Sequence, residues 1–170
     1  MRTHETSPRL QIRRATPADL DLIVDFNLRL AEESEGKRLD PAVVHAGVRR
    51  LLDDSVKGVY HLAEVGGEIV GQVCYTYEWS DWRNGWFWWI QSVYVRADFR
   101  GRGVFRSLFT HLASLAREQG DVIGIRLYVE EQNHAAQQVY TKLGFSRPGY
   151  FVLERGFLDP PCPPPTMAEG

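Results

Sequence analysis

The chain has few cysteines, no long apolar run and no excess of either charge. Cys74 and Cys162 are its only cysteines, which gives neither a zinc-ligand spacing nor a disulfide framework. A reducing cytoplasm is the expected setting. No uncharged apolar stretch approaches the ~20 residues that a membrane-spanning helix needs. The opening MRTHETSPRL has no apolar core and does not read as a secretory signal. Lysine and arginine number 20 against 22 acids, so the net charge of −2 implies no general attraction to nucleic acid or anionic membrane. The five histidines (His4, His45, His61, His111, His134) are scattered without an H-E-x-x-H pair, and no metal is expected. There is no G-x-S-x-G elbow and no P-loop lysine, which argues against a hydrolase or a nucleotide fold. Cys74 lies within an alternating strand pattern and reads as core rather than nucleophile.

What is present is a regular alternation of strands and helices. Residues 10–14 alternate as a first strand. Thr16-Pro17-Ala18-Asp19 opens a helix with a cap, a first-turn proline and an acid three residues on, carrying Leu20, Ile23, Val24, Asn27, Leu30 and Ala31 on one face to about Glu33. Glu32, Glu33, Ser34 and Glu35 with Gly36 then close this helix and open a loop, although acids at a helix C-terminus oppose its dipole. Asp40-Pro41 restarts a helix with Val44, Val48, Leu51 and Leu52 as its stripe. Residues 59–65 and 69–77 are strands joined by Gly66-Gly67, a two-residue hairpin signal, and 78–84 read as the next turn. Residues 122–129 form another strand, 133–143 a helix ended by Gly144, and Phe145 with 150–153 the last strands. The layout is a single α/β domain at 10–157, between a polar start at 1–9 and a proline-rich tail at 158–170.

The organising stretch is 85–115. Eleven residues without charge, Gly85 to Val95, form the central strand. Val104, Leu108, Leu112 and Leu115 mark the following helix. Between them, Arg100-Gly101-Arg102-Gly103 offers two glycines for close backbone approach, unpaired N–H groups at a helix start and two cations. That chemistry suits a phosphate. The same residues also read as a tight connection with solvated arginines.

The order Val93-x-Val95, then Arg100-Gly101-Arg102-Gly103, resembles the acyl-coenzyme A motif of the GCN5-related N-acetyltransferase (GNAT) family. Val129, Asn133, Ala136, Tyr140 and Gly144-Phe145 resemble its second signature. One departure is Phe105, which stands where the family pattern has glycine or alanine. The resemblance implies a mixed, splayed central sheet flanked by helices, with acetyl-CoA as cosubstrate and no metal. It assigns Val93, Tyr94, Val95, Arg100, Gly101, Arg102, Gly103, Val104, Phe105, Asn133 and Ala136 to the cofactor. Tyr140 takes the position of the general acid for the departing thiolate. Where the family often places an acidic base on the central strand, this chain has Gln91 and Ser92, so no base is assigned, though Gln91 can orient a water.

The implied reaction is transfer of an acetyl group to the primary amine of a small molecule. The helix, acidic run and second helix, followed by YTYEWSDW, resemble the diamine acetyltransferase branch. Glu32, Glu33, Glu35, Glu78 and Gln91 are therefore the substrate-side candidates. A noncatalytic acyl-CoA-binding module and acetylation of a protein amine are the alternatives. The reading expects no nucleic-acid or membrane partner and admits a homodimer.

Overall fold

The computed structural model describes residues 9–157, in two compact units that divide between Tyr128 and Val129. The proline-rich tail, Cys162 and all but Arg9 of the polar start lie outside the described residues. The first unit is built on a five-stranded sheet in the order β1 (Leu10–Arg14), β2 (Val59–Val65), β3 (Glu68–Ser80), β4 (Gly85–Val95) and β5 (Val122–Leu127). The first three pairings are antiparallel and β4–β5 is parallel, so the sheet is mixed. Helices α1 (Leu20–Glu35) and α2 (Pro41–Asp53) precede β2, and α3 (Val104–Gln119) connects β4 to β5.

Strand alternation sorts side chains into two cores. Val73, Tyr75, Trp88 and Ile90 pack with Val104, Leu108 and Leu112 of α3. Leu62 and Cys74 pack with Ile23 and Val24 of α1 and Val48 of α2. Burial pushes the Cys74 thiol up to about 12, as befits a core residue rather than a nucleophile. The Tyr75 and Trp88 rings stack at 4.1 Å, adding a directional term to the α3-side core.

The helix starts follow their sequence signals. Asp19 accepts from the Thr16 backbone N–H at 2.8 Å and from Arg13 at 2.7 and 2.9 Å. The Arg13 contact is the chief reason its carboxyl is held down to about 2. Asp40 caps α2 by accepting from the Ala42 N–H at 2.8 Å, with Pro41 at the first helical position. Gly66 and Gly67 make the hairpin turn between β2 and β3.

Four expectations are corrected. Helix α1 runs through Glu35 rather than ending at about Glu33, because glutamates are good helix formers and the chain turns only at Gly36, which is left-handed at φ 62°. Strand β3 continues to Ser80, with Glu78 opposite Phe87 and Trp79 opposite Trp86, so Glu78 and Trp79 are strand residues and the turn shrinks to 81–84. Strand β5 stops at Leu127, where its pairing with β4 ends, rather than at Val129. No strand forms at Phe145 or 150–153. Tyr150, Phe151, Val152 and Leu153 are exposed, and an apolar run becomes a strand only where a sheet edge pairs with it.

A histidine pair couples the sheet to α3. His61 on β2 is buried, with Nδ1 3.0 Å from Nε2 of His111. Burial, then the neighbouring His111, lowers the His61 pKa to about 4. The unfolded chain therefore takes up this proton first as pH falls below ~6.5. Stability should accordingly fall between pH 6.5 and 4, by up to about 3 kcal/mol from this group. Urea unfolding at pH 7 and pH 4.5 measures the loss. A His61→Phe variant should show a clearly smaller loss over that window, and an unchanged one would assign the acid sensitivity to other groups.

Candidate functional site

The parting of β4 from β5 organises the site. Strand β4 pairs with β3 as far as Val95↔Gly71, but with β5 only as far as Ile90↔Leu127. Gln91 is the extra residue where Cys74 pairs with Ser92 and Tyr75 with Ile90. A bulge of this kind bends a strand and redirects its backbone. From Gln91 to Val95 one edge of β4 has no strand partner among the described residues, and it presents backbone donors and acceptors that an extended ligand can pair with. Val93, Tyr94 and Val95 all lie on this segment. Only the Tyr94 backbone is available to a ligand, because its side chain is buried against Phe26 and its hydroxyl donates to Glu33 at 2.9 Å.

The turn after β4 ends in a helix start without a cap. Gly101 and Gly103 have φ of 74° and 81°, and a Cβ on either would meet no protein atom within 4 Å. Left-handed backbone, not packing, reserves both positions for glycine. No side chain caps α3, its first turn carries no acid, and its leading N–H groups lack acceptors within the helix. A diphosphate fits such a surface. Arg102 lies over Phe99 at 5.3 Å and makes no ion pair among the described residues. Arg100 is differently committed: its Nε donates to the Val95 carbonyl at 2.9 Å and its guanidinium pairs with Glu33. Val104 turns into the core, and Phe105 is half-buried beside Phe109.

The acids proposed for the substrate side have partners. Glu33 ties α1 to β4 and to the turn, and Arg100 is the chief reason its carboxyl is held below the usual range. Glu35 pairs with Lys37 at 2.6 Å, while Glu32 is exposed. Glu78 accepts from Arg126 at 2.6 Å and from the Trp89 indole. The Gln91 amide donates to Thr76 at 2.8 Å.

A cleft of about 470 Å³ opens between α1 and α2, with Asn27, Tyr60 and Ser92 among its polar lining residues. Ser92 brings it to the unpaired segment of β4. Behind it, fully buried Gln72 donates to Asn27 at 2.8 Å, and Asn27 donates to the Tyr60 hydroxyl at 2.9 Å. Burial lifts that hydroxyl to about 12, so it stays protonated. The Gln72 Oε1 has no hydrogen-bond partner among the described residues. Sequence reading passed over Tyr60 and Gln72. The available signal was a glutamine set among the apolar residues of IVGQVCY.

In the second unit, α4 (His134–Lys142) begins after Asn133, whose side chain accepts from the Ala136 N–H at 3.0 Å. Asn133 therefore serves as the cap of α4. Tyr140 is half-buried, packs edge-on to Phe145 at 5.8 Å, and has its hydroxyl pKa raised by burial. Among the described residues no cluster of three His, Cys, Asp or Glu side chains gathers, and no helix is long and apolar enough to cross a membrane.

A mixed sheet whose parallel pair parts beside a glycine-lined helix start offers an extended, phosphate-bearing ligand a strand edge and a set of backbone amides. The model of the acetyltransferase (GNAT) family matches residues 26–145, and the chain belongs to that family. It is an acetyl-CoA-dependent acyltransferase. A possible acetyltransferase from Clostridium difficile 630 is 44% identical in solved structure, with a TM-score of 0.83 over 88% of this chain and 98% of that one. A thialysine N-epsilon-acetyltransferase from Caenorhabditis elegans is 26% identical over 136 residues, 79% of this chain and 82% of the relative. An aminoglycoside N-acetyltransferase in complex with CoA shares the fold at 15% identity and a TM-score of 0.74, over 91% of this chain and 99% of that one.

Proposed function

We propose that residues 10–157 transfer the acetyl group of acetyl-CoA to the primary amine of a small molecule, a polyamine or another amine. The observation that carries this reading is the β4 segment from Gln91 to Val95, unpaired on one edge and flanked by the glycine turn and by a cleft lined by Ser92. The relative named for acetylating the ε-nitrogen of thialysine supports an amine acceptor.

Bound acetyl-CoA supplies a thioester whose carbonyl carbon the amine attacks and whose sulphur leaves. The exposed edge of β4 hydrogen-bonds the carrier's arm. The amides from Gly101 to Phe105 hold its diphosphate at the positive end of α3, with Arg102 adding charge. Tyr140 donates its proton to the departing sulphur, and its raised pKa keeps that proton in place at neutral pH. The acceptor must shed one proton to expose its lone pair. Glu78 is engaged by Arg126 and Trp89, and the family's acidic positions read Gln91 and Ser92, so Gln91 orients the water that takes it.

The engagement of Glu78 and the absence of an acid at Gln91 and Ser92 favour the second reading, a noncatalytic acyl-CoA-binding module. Thiol release from acetyl-CoA across a panel of amines, with CoA binding measured in parallel, separates the two. Turnover on at least one small amine is expected; tight binding without turnover on any would select the second.

A further inference from the structure

Gln72 is fully buried on β3 beneath α1, where an aliphatic side chain of similar size would leave no polar atom unpaired. Its Nε2 donates to Asn27, Asn27 donates to the Tyr60 hydroxyl, and its Oε1 has no partner among the described residues. Reversing both amides would orphan the Gln72 NH2 group instead, and buried unpaired N–H groups are the rarer defect. The direction of the chain is therefore set, from Gln72 to Asn27 to Tyr60.

Sheet register carries the chain one step further. Tyr60 on β2 pairs with Cys74 on β3, and Cys74 pairs with Ser92 on β4, so the three form one row across the sheet. Cys74 and Ser92 accordingly lie beside the Tyr60 hydroxyl, and Tyr60 and Ser92 both line the cleft between α1 and α2. The Tyr60 oxygen already accepts from Asn27, so its proton goes to a neighbour. Of the two beside it, the Ser92 oxygen is a better acceptor than the Cys74 sulphur. A serine oxygen that accepts there turns its own proton outward into the cleft. Hydrogen bonds linked in this way polarise one another. The row thus ends in a strengthened donor on the unpaired segment of β4.

With the diphosphate on the turn that follows Val95, the carrier's arm runs along β4 toward Gln91. Its acyl end then falls at the start of the unpaired segment, where Ser92 stands. We propose that the Ser92 hydroxyl donates to the acetyl carbonyl oxygen as that oxygen gains negative charge, and that Tyr60 is the positioning residue that aims and polarises it. This rests on the N-acetyltransferase reading above and adds Ser92 and Tyr60 to its machinery. As the amine attacks, the C–N bond forms and the carbonyl π pair moves onto oxygen. The Ser92 proton stabilises that charge without being transferred, and the pair returns as the C–S bond breaks. An amide at the head of the chain cannot take up a proton, so Ser92 does not serve as the base for the amine.

Infrared spectra of bound acetyl-CoA, isotope-labelled at the acetyl carbonyl, test this directly, because a hydrogen bond weakens the C=O bond. The stretching band should lie lower in the wild type than in Ser92→Ala, with Tyr60→Phe between them. Ser92→Ala should lower kcat about 10²-fold, the low end for loss of one such donor, with acetyl-CoA affinity by calorimetry within about twofold of wild type. Tyr60→Phe should lower kcat about tenfold, and adding it to Ser92→Ala should cost nothing more, because Tyr60 acts only through Ser92. A band at the same frequency in the wild type and Ser92→Ala would overturn the proposal, and so would additive losses in the double variant. If no amine turns over, the function reading fails by itself and the band alone decides. A wild type that binds no acetyl-CoA would overturn both.

Discussion

Tyr140→Phe should lower kcat by about 10²-fold or more, the low end of what a positioned general acid contributes, while CoA affinity stays at wild type. The substitution removes one hydroxyl and keeps the ring that packs edge-on to Phe145. The local backbone is secured independently, because the Tyr140 carbonyl accepts from the N–H groups of Leu143 and Phe145 at 3.0 Å each. The fold of α4 should therefore survive. Burial raises the hydroxyl pKa, so the wild type keeps its acid protonated through neutral pH and loses it only on the alkaline side. A pH profile of kcat should show that alkaline fall in the wild type, and the variant should lack it. Wild-type turnover in Tyr140→Phe would make the residue a packing element, and another proton source would have to serve the sulphur.

Most of the fold was legible where the determinants are local. The Gly66-Gly67 hairpin, the Asp40-Pro41 cap and the strand, glycine turn and helix from Gly85 onward each write their signal within a few residues. What escaped depends on partners distant in the chain. Glu78-Trp79-Ser80 has turn-like composition, yet it forms strand because Trp79 packs on Trp86 at 5.0 Å and Ser80 pairs with Gly85. The acids at the end of α1 look unfavourable for its dipole until Arg100, 67 residues on, pairs with Glu33. Tyr150 to Leu153 has strand composition, yet it forms no strand among the described residues.

The candidate site divides along the same line. The turn after β4 stands out in sequence because two glycines and two arginines sit together, but the differing commitments of Arg100 and Arg102 do not. Arg100 is held by a carboxylate on α1 and a carbonyl on β4, which no local pattern records. The cleft between α1 and α2 draws Asn27, Tyr60 and Ser92 from three elements, so its lining exists only after the sheet has formed.

Gly103→Val should weaken CoA binding by at least tenfold, about 1.4 kcal/mol. Gly103 caps α3 at φ 81°, and a Cβ there projects into space that no protein atom fills. The native packing therefore leaves room for the methyl groups, and what they obstruct is approach from outside. A diphosphate drawn to the leading amides of α3 needs that approach, because hydrogen bonds to backbone N–H groups act only at about 3 Å. The substitution also strains the turn, since a left-handed β-branched residue costs on the order of 1–2 kcal/mol. Gly120→Val separates the two effects. Gly120 lies at the opposite end of the same helix, at φ 79° and likewise with no atom within 4 Å of a Cβ. Both variants should lose similar stability in urea, and only Gly103→Val should lose CoA affinity. Equal affinities in the two folded variants would move the diphosphate away from this turn.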